Sequence, residues 1–171
     1  AGGEGRDRGR TVDPRALPDL EARMRRGLLR RWKQVLLGLG AIFVGIQLIP
    51  VRRINPAISG EARAPEQIEE ILGRACQDCH SHRTRWPWYS YVAPVSWLIE
   101  HDVEEGREYL NLSTWDAYPS EKRRKLFKEI REEIEVGSMP PWYYVTMHPS
   151  ARLSERDLGL LLRWSEEGAR E

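Results

Sequence analysis

The feature that most constrains this chain is the segment Cys76-Gln77-Asp78-Cys79-His80, which contains both cysteines of the 171-residue sequence. Two thiols one helical turn apart can each form a thioether to one of the two vinyl groups on the same edge of a porphyrin. The histidine that follows then lies under the ring and supplies an axial nitrogen to iron. The motif is therefore typical of c-type haem attachment, and it predicts one covalent haem c held by Cys76, Cys79 and His80.

Three other uses of the motif stay open from the sequence. A disulfide between Cys76 and Cys79 would suit an exported protein, and a thioredoxin-like redox pair would suit their spacing. The thioredoxin fold needs βαβ units, however, and no strand pattern is apparent. A zinc site would add His80 and His82 to the two cysteines, although zinc sites normally take their second pair of ligands from a distant part of the chain. Haem attachment is the interpretation that the sequence favours.

A second constraint is the apolar segment from Trp32 to Val51, which is uncharged apart from Lys33. Its length of about 20 residues is that of a helix that crosses a bilayer. Arginine and lysine are concentrated before it, so the positive-inside rule predicts a cytoplasmic N-terminus and an exported remainder. A cleaved signal peptide, with Ala62-Arg63-Ala64 as the cleavage site, is the alternative. A buried core helix is disfavoured because the segment has no polar face.

These features divide the chain into four parts. Residues 1–31 are expected to form a basic, disordered cytoplasmic tail, since the first 20 have almost no apolar content. Residues 32–51 are expected to form a single transmembrane anchor, residues 52–64 a tether, and residues 65–171 a periplasmic c-type haem domain.

Apolar periodicity in the haem domain predicts four helices and no strand. The first predicted helix begins at Pro65. The second spans about Val95 to Leu110, the third spans about Ser120 to Val136, and the fourth begins at Ser154. Asp157, three residues after Ser154, indicates a capping box at the last of these helices. The predicted fold is therefore all-α, a small helical domain around one covalent haem that follows an N-terminal membrane helix.

A low-spin electron carrier needs a second axial ligand on the iron. The candidates are His82, His101, Met139, Met147 and His148. Met139 is the predicted sixth ligand, because it lies in "GSMPPWYY" and the prolines fix the backbone there and remove competing donors. His148 is the alternative, followed by Met147. His82 is too close to the attachment motif to reach the opposite face of the ring, and His101 is expected to be solvated.

The stretch "RWPWYSYVAPVSW" concentrates aromatic residues after the motif. Trp86, Trp88 and Tyr91 are predicted to form the wall of the haem pocket, where flat rings would exclude water from the macrocycle. Plain core or an aromatic patch at the membrane interface is the alternative.

Two further contacts are expected around the haem. Arg83 and Arg85 would either pair with its propionates or meet solvent. A backbone carbonyl near Pro87 or Pro94 would hold the second ring nitrogen of His80.

The order of these parts resembles a class I cytochrome c, in which the first and last helices cross and the methionine loop precedes the last one. Residues 76–115, which begin "CQDCHSHRTRWPWYSY", and residues 137–157, "GSMPPWYYVTMHPSARLSERD", resemble the bacterial haem-binding domain family of membrane-anchored monohaem proteins. The resemblance covers approximately residues 35–169. It implies covalent haem at an extracytoplasmic site, and position by position it supports Cys76, Cys79, His80 and Met139.

Together these observations predict a membrane-anchored monohaem cytochrome c in the bacterial inner membrane. It is expected to carry single electrons on the periplasmic side, to bind the lipid bilayer and a larger redox complex, and to have no enzymatic activity and no nucleic-acid partner. The alternatives are a haem enzyme or sensor with an open sixth site, and a zinc-stabilised interaction module.

Overall fold

The computed structural model describes the backbone of residues 16–170 and the side chains of residues 23–170. The helices are α1 (Ala16–Ile46), α2 (Glu66–Ala75), α3 (Gln77–His80), α4 (Val95–Tyr109), α5 (Ser120–Glu135), α6 (Trp142–Met147) and α7 (Glu155–Gly168). Short 3-10 turns lie at Trp88–Tyr91, Trp115–Ala117 and Pro149–Ala151. No strand occurs in residues 16–170, where the only β contact is an isolated bridge between Gly60 and Thr114. The all-α prediction is confirmed for this part of the chain.

The chain divides into two compact units, Ala1–Ile49 and Pro50–Glu171. In the first unit, α1 exposes its large apolar side chains, namely Met24, Leu28, Leu29, Trp32, Val35, Leu36, Leu37, Leu39, Ile42, Phe43 and Val44. Within residues 16–170 no helix combines the length and the apolar character that a membrane crossing requires.

Two sequence predictions about the first unit need correction. The anchor predicted over residues 32–51 is not formed at that length, because α1 ends at Ile46. Disorder is predicted for residues 1–31, whereas α1 begins at Ala16 in the structure. Residues 1–15 lie outside the described residues.

The core of the second unit joins α2, α5 and α7. Ile68, Ile71 and Leu72 of α2 are buried with Leu161 and Trp164 of α7 in one apolar cluster. Phe127 of α5 lies edge-on to Trp164, with ring centroids 5.0 Å apart, and also to Trp115, at 5.1 Å. Edge-to-face contacts of this kind stabilise aromatic cores beyond the area that they bury.

The four predicted helices correspond to α2, α4, α5 and α7, with ends that agree within one or two residues. The capping box is confirmed at α7. The Ser154 backbone N–H donates to Asp157 Oδ2 at 2.8 Å, and the Asp157 N–H donates to Ser154 Oγ at 3.2 Å. These bonds satisfy two of the backbone donors left free at a helix start.

Residues 52–64, predicted as a tether, form part of the second unit. The backbone N–H groups of Ser59 and Gly60 donate to the Ser113 carbonyl, and that of Ala62 donates to Leu112 at 2.9 Å. Arg107 of α4 donates to the Ile54 carbonyl at 2.9 Å. This segment is therefore hydrogen-bonded to the domain that it precedes.

Candidate haem-attachment site

The two cysteines flank a single helical turn. Cys76 ends α2, and its carbonyl accepts hydrogen bonds from the N–H groups of Cys79, at 3.2 Å, and His80, at 3.0 Å. Both thiols are free, so the disulfide considered above is not formed. Burial raises the pKa of Cys76 to about 12, and burial followed by the negative charge of Asp102 raises the pKa of Cys79 to about 12. Both are uncharged thiols at neutral pH.

The imidazole of His80 is held by helix α4. Its Nδ1 lies 2.8 Å from the Gly106 carbonyl and 3.2 Å from the Leu110 carbonyl, so Nδ1 carries the proton. Burial lowers the pKa of His80, although these two hydrogen bonds partly oppose the shift. A neutral ring protonated at Nδ1 leaves the lone pair on Nε2, which is the arrangement an axial histidine requires. From the sequence, a backbone carbonyl near Pro87 or Pro94 is expected to accept this hydrogen bond from His80. That expectation is wrong, because the Gly106 and Leu110 carbonyls are the acceptors.

Gly106 permits the close contact between α4 and the attachment turn. A Cβ atom at this position would lie 2.8 Å from the Cys79 carbonyl oxygen and 3.1 Å from Cys79 Cβ. The first distance is shorter than packed atoms tolerate and involves backbone that cannot rotate away, and the second is a tight contact. The absent side chain therefore brings the Gly106 carbonyl within reach of His80.

Asp78, between the two cysteines, is a buried carboxylate with several donors. Arg85 donates to Oδ1 from its backbone N–H at 3.0 Å and from Nε at 3.1 Å, and to Oδ2 from Nη2 at 3.1 Å. Tyr144 of α6 donates its hydroxyl to Oδ2 at 2.7 Å. Asp78 thus joins the attachment turn to the segment that follows Met139.

The histidine candidates for a sixth ligand are engaged elsewhere. His82 Nδ1 lies 2.9 Å from the Ala57 carbonyl and Nε2 lies 2.8 Å from Asn111 Nδ2, so both ring nitrogens have partners. The side chain of His101 is 69% exposed beside Glu105, as the sequence predicts.

His148, the alternative sixth ligand, is also occupied. Its Nε2 lies 3.2 Å from the Tyr89 hydroxyl, and its Nδ1 lies 3.2 Å from the Tyr144 carbonyl. The ring is stacked on Tyr144, with centroids 4.2 Å apart. A tautomer protonated at Nδ1 satisfies both polar contacts, so ligation through Nε2 would break the contact with the Tyr89 hydroxyl.

The two methionine candidates have no such competition for their sulfur atoms. Met139 is 39% exposed and Met147 is 53% exposed. Met139 follows the end of α5, where Gly137 has φ +72° and Ser138 N–H donates to the Glu133 carbonyl at 3.1 Å. This left-handed glycine and its hydrogen bonds form a Schellman motif, which fixes the direction of the chain just before Met139.

The predicted pocket wall has one buried polar group without a partner. Trp86 is half-buried, and its indole Nε1 is buried without a hydrogen-bond partner among residues 23–170, as is Nε1 of Trp97. Trp88 and Tyr91 are exposed, and Arg53 lies 4.2 Å from the Tyr91 ring centroid. Buried donors of this kind normally have acceptors. The wall role of all three predicted residues stays a prediction.

These groups suit the parts of a haem. Two free thiols match its vinyl groups, the Nε2 lone pair of His80 matches its iron, and the two unpartnered indole N–H groups match its carboxylates. Arg85 pairs with Asp78 and Arg83 pairs with Glu61 at 2.9 Å, and both arginine side chains remain more than half exposed to solvent. In residues 23–170 no three His, Cys, Asp or Glu side chains form a cluster that could hold a metal ion.

Three contributors to the site were missed from sequence. Asp78 carries a signal, since an acidic residue between the cysteines must either face solvent or find donors. Gly106 lies within the helix predicted over about Val95 to Leu110, where a glycine indicates a close approach. Tyr144 had no usable signal, because α6 is too short for apolar periodicity.

Comparison with known proteins agrees with this chemistry. The haem-binding domain family matches residues 41–167. The chain is also similar to "Cytochrome c peroxidase Ccp" of Escherichia coli (strain K12), at 22% identity over 111 residues, 61% of this chain and 24% of that protein. The chain therefore spans about a quarter of this relative's length. No solved structure gives a significant match.

Proposed function

Because the chain belongs to the haem-binding domain family, we propose that it binds one haem covalently through Cys76 and Cys79, with His80 as an axial ligand of the iron. The observation that carries this proposal is the orientation of His80. Its Nδ1 is fixed by the Gly106 and Leu110 carbonyls, so Nε2 is the free nitrogen beside two free thiols one turn apart. When bound, the haem supplies a one-electron Fe(III)/Fe(II) couple.

We propose Met139 as the sixth ligand. The polar contacts of His82 and His148 and the exposure of His101 favour a methionine, and the Schellman motif constrains the backbone of Met139 but not that of Met147. A methionine opposite a histidine raises the reduction potential relative to two histidines. The chain would then accept single electrons from one redox protein and pass them to another.

A peroxidase is the second candidate function. The observation that favours it is the similarity to a protein named cytochrome c peroxidase. A peroxidase needs an iron that is open to peroxide, whereas a methionine-ligated carrier has no open position. The state of the sixth coordination position therefore separates the two functions.

Absorption spectra of the purified protein test these alternatives. We expect a reduced c-type haem spectrum, no fast binding of carbon monoxide, and the weak far-red band that methionine ligation gives to ferric haem. Met139→Ala should lose that band, and Met147→Ala is the matched control that should keep it. Rapid carbon monoxide binding by the unaltered protein would instead support the peroxidase. Absence of a Soret band would end both proposals.

We further propose that the haem domain works outside the cytoplasm at a lipid surface. Covalent attachment of haem to this motif takes place outside the cytoplasm. In α1, the exposed side chains of Met24, Leu28 and Trp32 recur every four residues and so share one helical face. Arginines lie between them in sequence, an arrangement that favours contact with anionic lipid.

Vesicle co-sedimentation tests the lipid contact. The protein should bind vesicles that contain phosphatidylglycerol more strongly than vesicles of phosphatidylcholine alone. Arg25→Glu/Arg26→Glu should weaken binding to the anionic vesicles, whereas Lys125→Glu on α5 should not. Equal recovery in the supernatant with both kinds of vesicle would refute this part of the proposal.

A further inference from the structure

Helix α6 follows Met139 by three residues and is held in place by few apolar contacts. None of its six residues is buried, and Trp142 is 79% exposed. A helix this short has little intrinsic stability in water. Polar contacts therefore contribute to what fixes α6, and with it the segment that carries Met139.

Two consecutive tyrosines supply such contacts. Tyr144 donates its hydroxyl to Asp78 Oδ2 at 2.7 Å, within the haem-attachment turn. Tyr143 lies near Asp102 on α4, the helix that also holds His80: burial, and then the negative charge of Asp102, raise the pKa of Tyr143. The Tyr144 hydrogen bond thus ties α6 to the haem-attachment turn, and Tyr143 lies near α4.

The Tyr144 contact has a rigid acceptor. Asp78 is only 7% exposed, and three donors from Arg85 hold its carboxylate. Burial, and then the hydrogen bond to Asp78, raise the pKa of Tyr144, so the hydroxyl keeps its proton and remains the donor. A short hydrogen bond to a buried carboxylate is among the stronger polar contacts in a protein.

The other end of the Met139 segment is fixed independently. The N–H groups of Ser138 and Met139 both donate to the Glu133 carbonyl at the end of α5, at 3.1 and 3.3 Å. Met139 therefore lies between a Schellman motif on one side and the tyrosine contacts on the other. Release of either end would let the methionine move.

We propose that Tyr144, through its hydrogen bond to Asp78, is a positioning residue that keeps Met139 on the haem iron. The inference rests on the proposed function, in which Met139 is the sixth ligand. Loss of the Tyr144 hydroxyl would leave the haem attached while the methionine dissociates more often.

Imidazole titration of the ferric holoprotein measures how often the sixth position opens. While the open state is rare, the apparent affinity for imidazole rises in proportion to its population. We expect Tyr144→Phe to bind imidazole about tenfold more tightly, equivalent to about 1.4 kcal/mol, and to weaken the far-red band. Tyr109→Phe is the matched control, because Tyr109 is 70% exposed at the end of α4, and it should titrate like the unaltered protein.

Met139→Ala separates failure of this inference from failure of the proposed ligand. Met139→Ala should bind imidazole more tightly than the unaltered protein, and adding Tyr144→Phe to it should then change little, because the tyrosine acts through the methionine. If Met139→Ala has this effect but Tyr144→Phe behaves like Tyr109→Phe, the positioning role is wrong and the ligand stands. An equal effect of Tyr144→Phe with and without Met139 would also refute the positioning role. If Met139→Ala changes nothing, both proposals are wrong.

Discussion

The contact between Gly106 and Cys79 gives a prediction whose size follows from the structure. Gly106→Ala would place a Cβ 2.8 Å from a backbone oxygen that cannot rotate away, so α4 must shift from the attachment turn. Overpacking of this kind costs about 1–3 kcal/mol. Replacing glycine by alanine inside a helix stabilises the folded state by about 1 kcal/mol through helix propensity. We therefore expect a net loss of about 0–2 kcal/mol in the free energy of unfolding.

Gly159→Ala in α7 is the matched control. Its Cβ would meet only the tip of Arg163, at 3.5 Å, so the helix propensity gain of about 1 kcal/mol should appear alone. The difference between the two variants then isolates the overpacking cost of about 1–3 kcal/mol. Urea unfolding of the holoprotein, followed by far-UV circular dichroism, measures it. Equal changes in the two variants would refute the close approach of α4 to the attachment turn.

Three further predictions concern stability. Burial raises the pKa of Asp157, but the hydrogen bonds from Ser154 and Arg74 outweigh it and lower that pKa to about 2. Its stabilisation should therefore be complete above the unfolded-state pKa of about 4 and fade as the pH falls toward 2. Urea unfolding between those limits should show a smaller pH slope for Asp157→Asn, and an unchanged slope would contradict the assignment. Gly137→Ala should lower the free energy of unfolding in urea by about 1 kcal/mol, because alanine is strained at φ +72°. An unchanged free energy of unfolding would mean that the left-handed turn is not formed. Leu161→Ala, at a side chain with 0% exposure, should cost about 2–5 kcal/mol, and a cost below about 1 kcal/mol would contradict its place in the core.

The long amphipathic helices were predictable because their periodicity reflects burial of one face. Ile68, Ile71 and Leu72 mark α2 in the sequence and are buried together in the structure. The capping box at Ser154 was predictable for a similar reason, since its two partners are three residues apart. Contacts within one helix leave a pattern in the sequence.

The details that prepare the site were not predictable in the same way. The carbonyl acceptors of His80 lie 26 and 30 residues away, on α4 and at its C-cap, and only the packing of α4 against the attachment turn brings them together. Helix α6 buries no residue, so the hydrogen bond from Tyr144 to Asp78 leaves no apolar period in the sequence. The bounds of the anchor predicted over residues 32–51 differ from those of α1, because an apolar segment of about 20 residues does not determine where a helix begins or ends.

Intact-mass analysis after acid-acetone extraction tests the central claim most directly. Protein produced in a host that attaches haem outside the cytoplasm should retain the mass of one haem after extraction, because two thioether bonds resist it. Cys76→Ala/Cys79→Ala should lose that mass. A polypeptide of unmodified mass, with all the haem in the acetone phase, would contradict covalent attachment at Cys76 and Cys79.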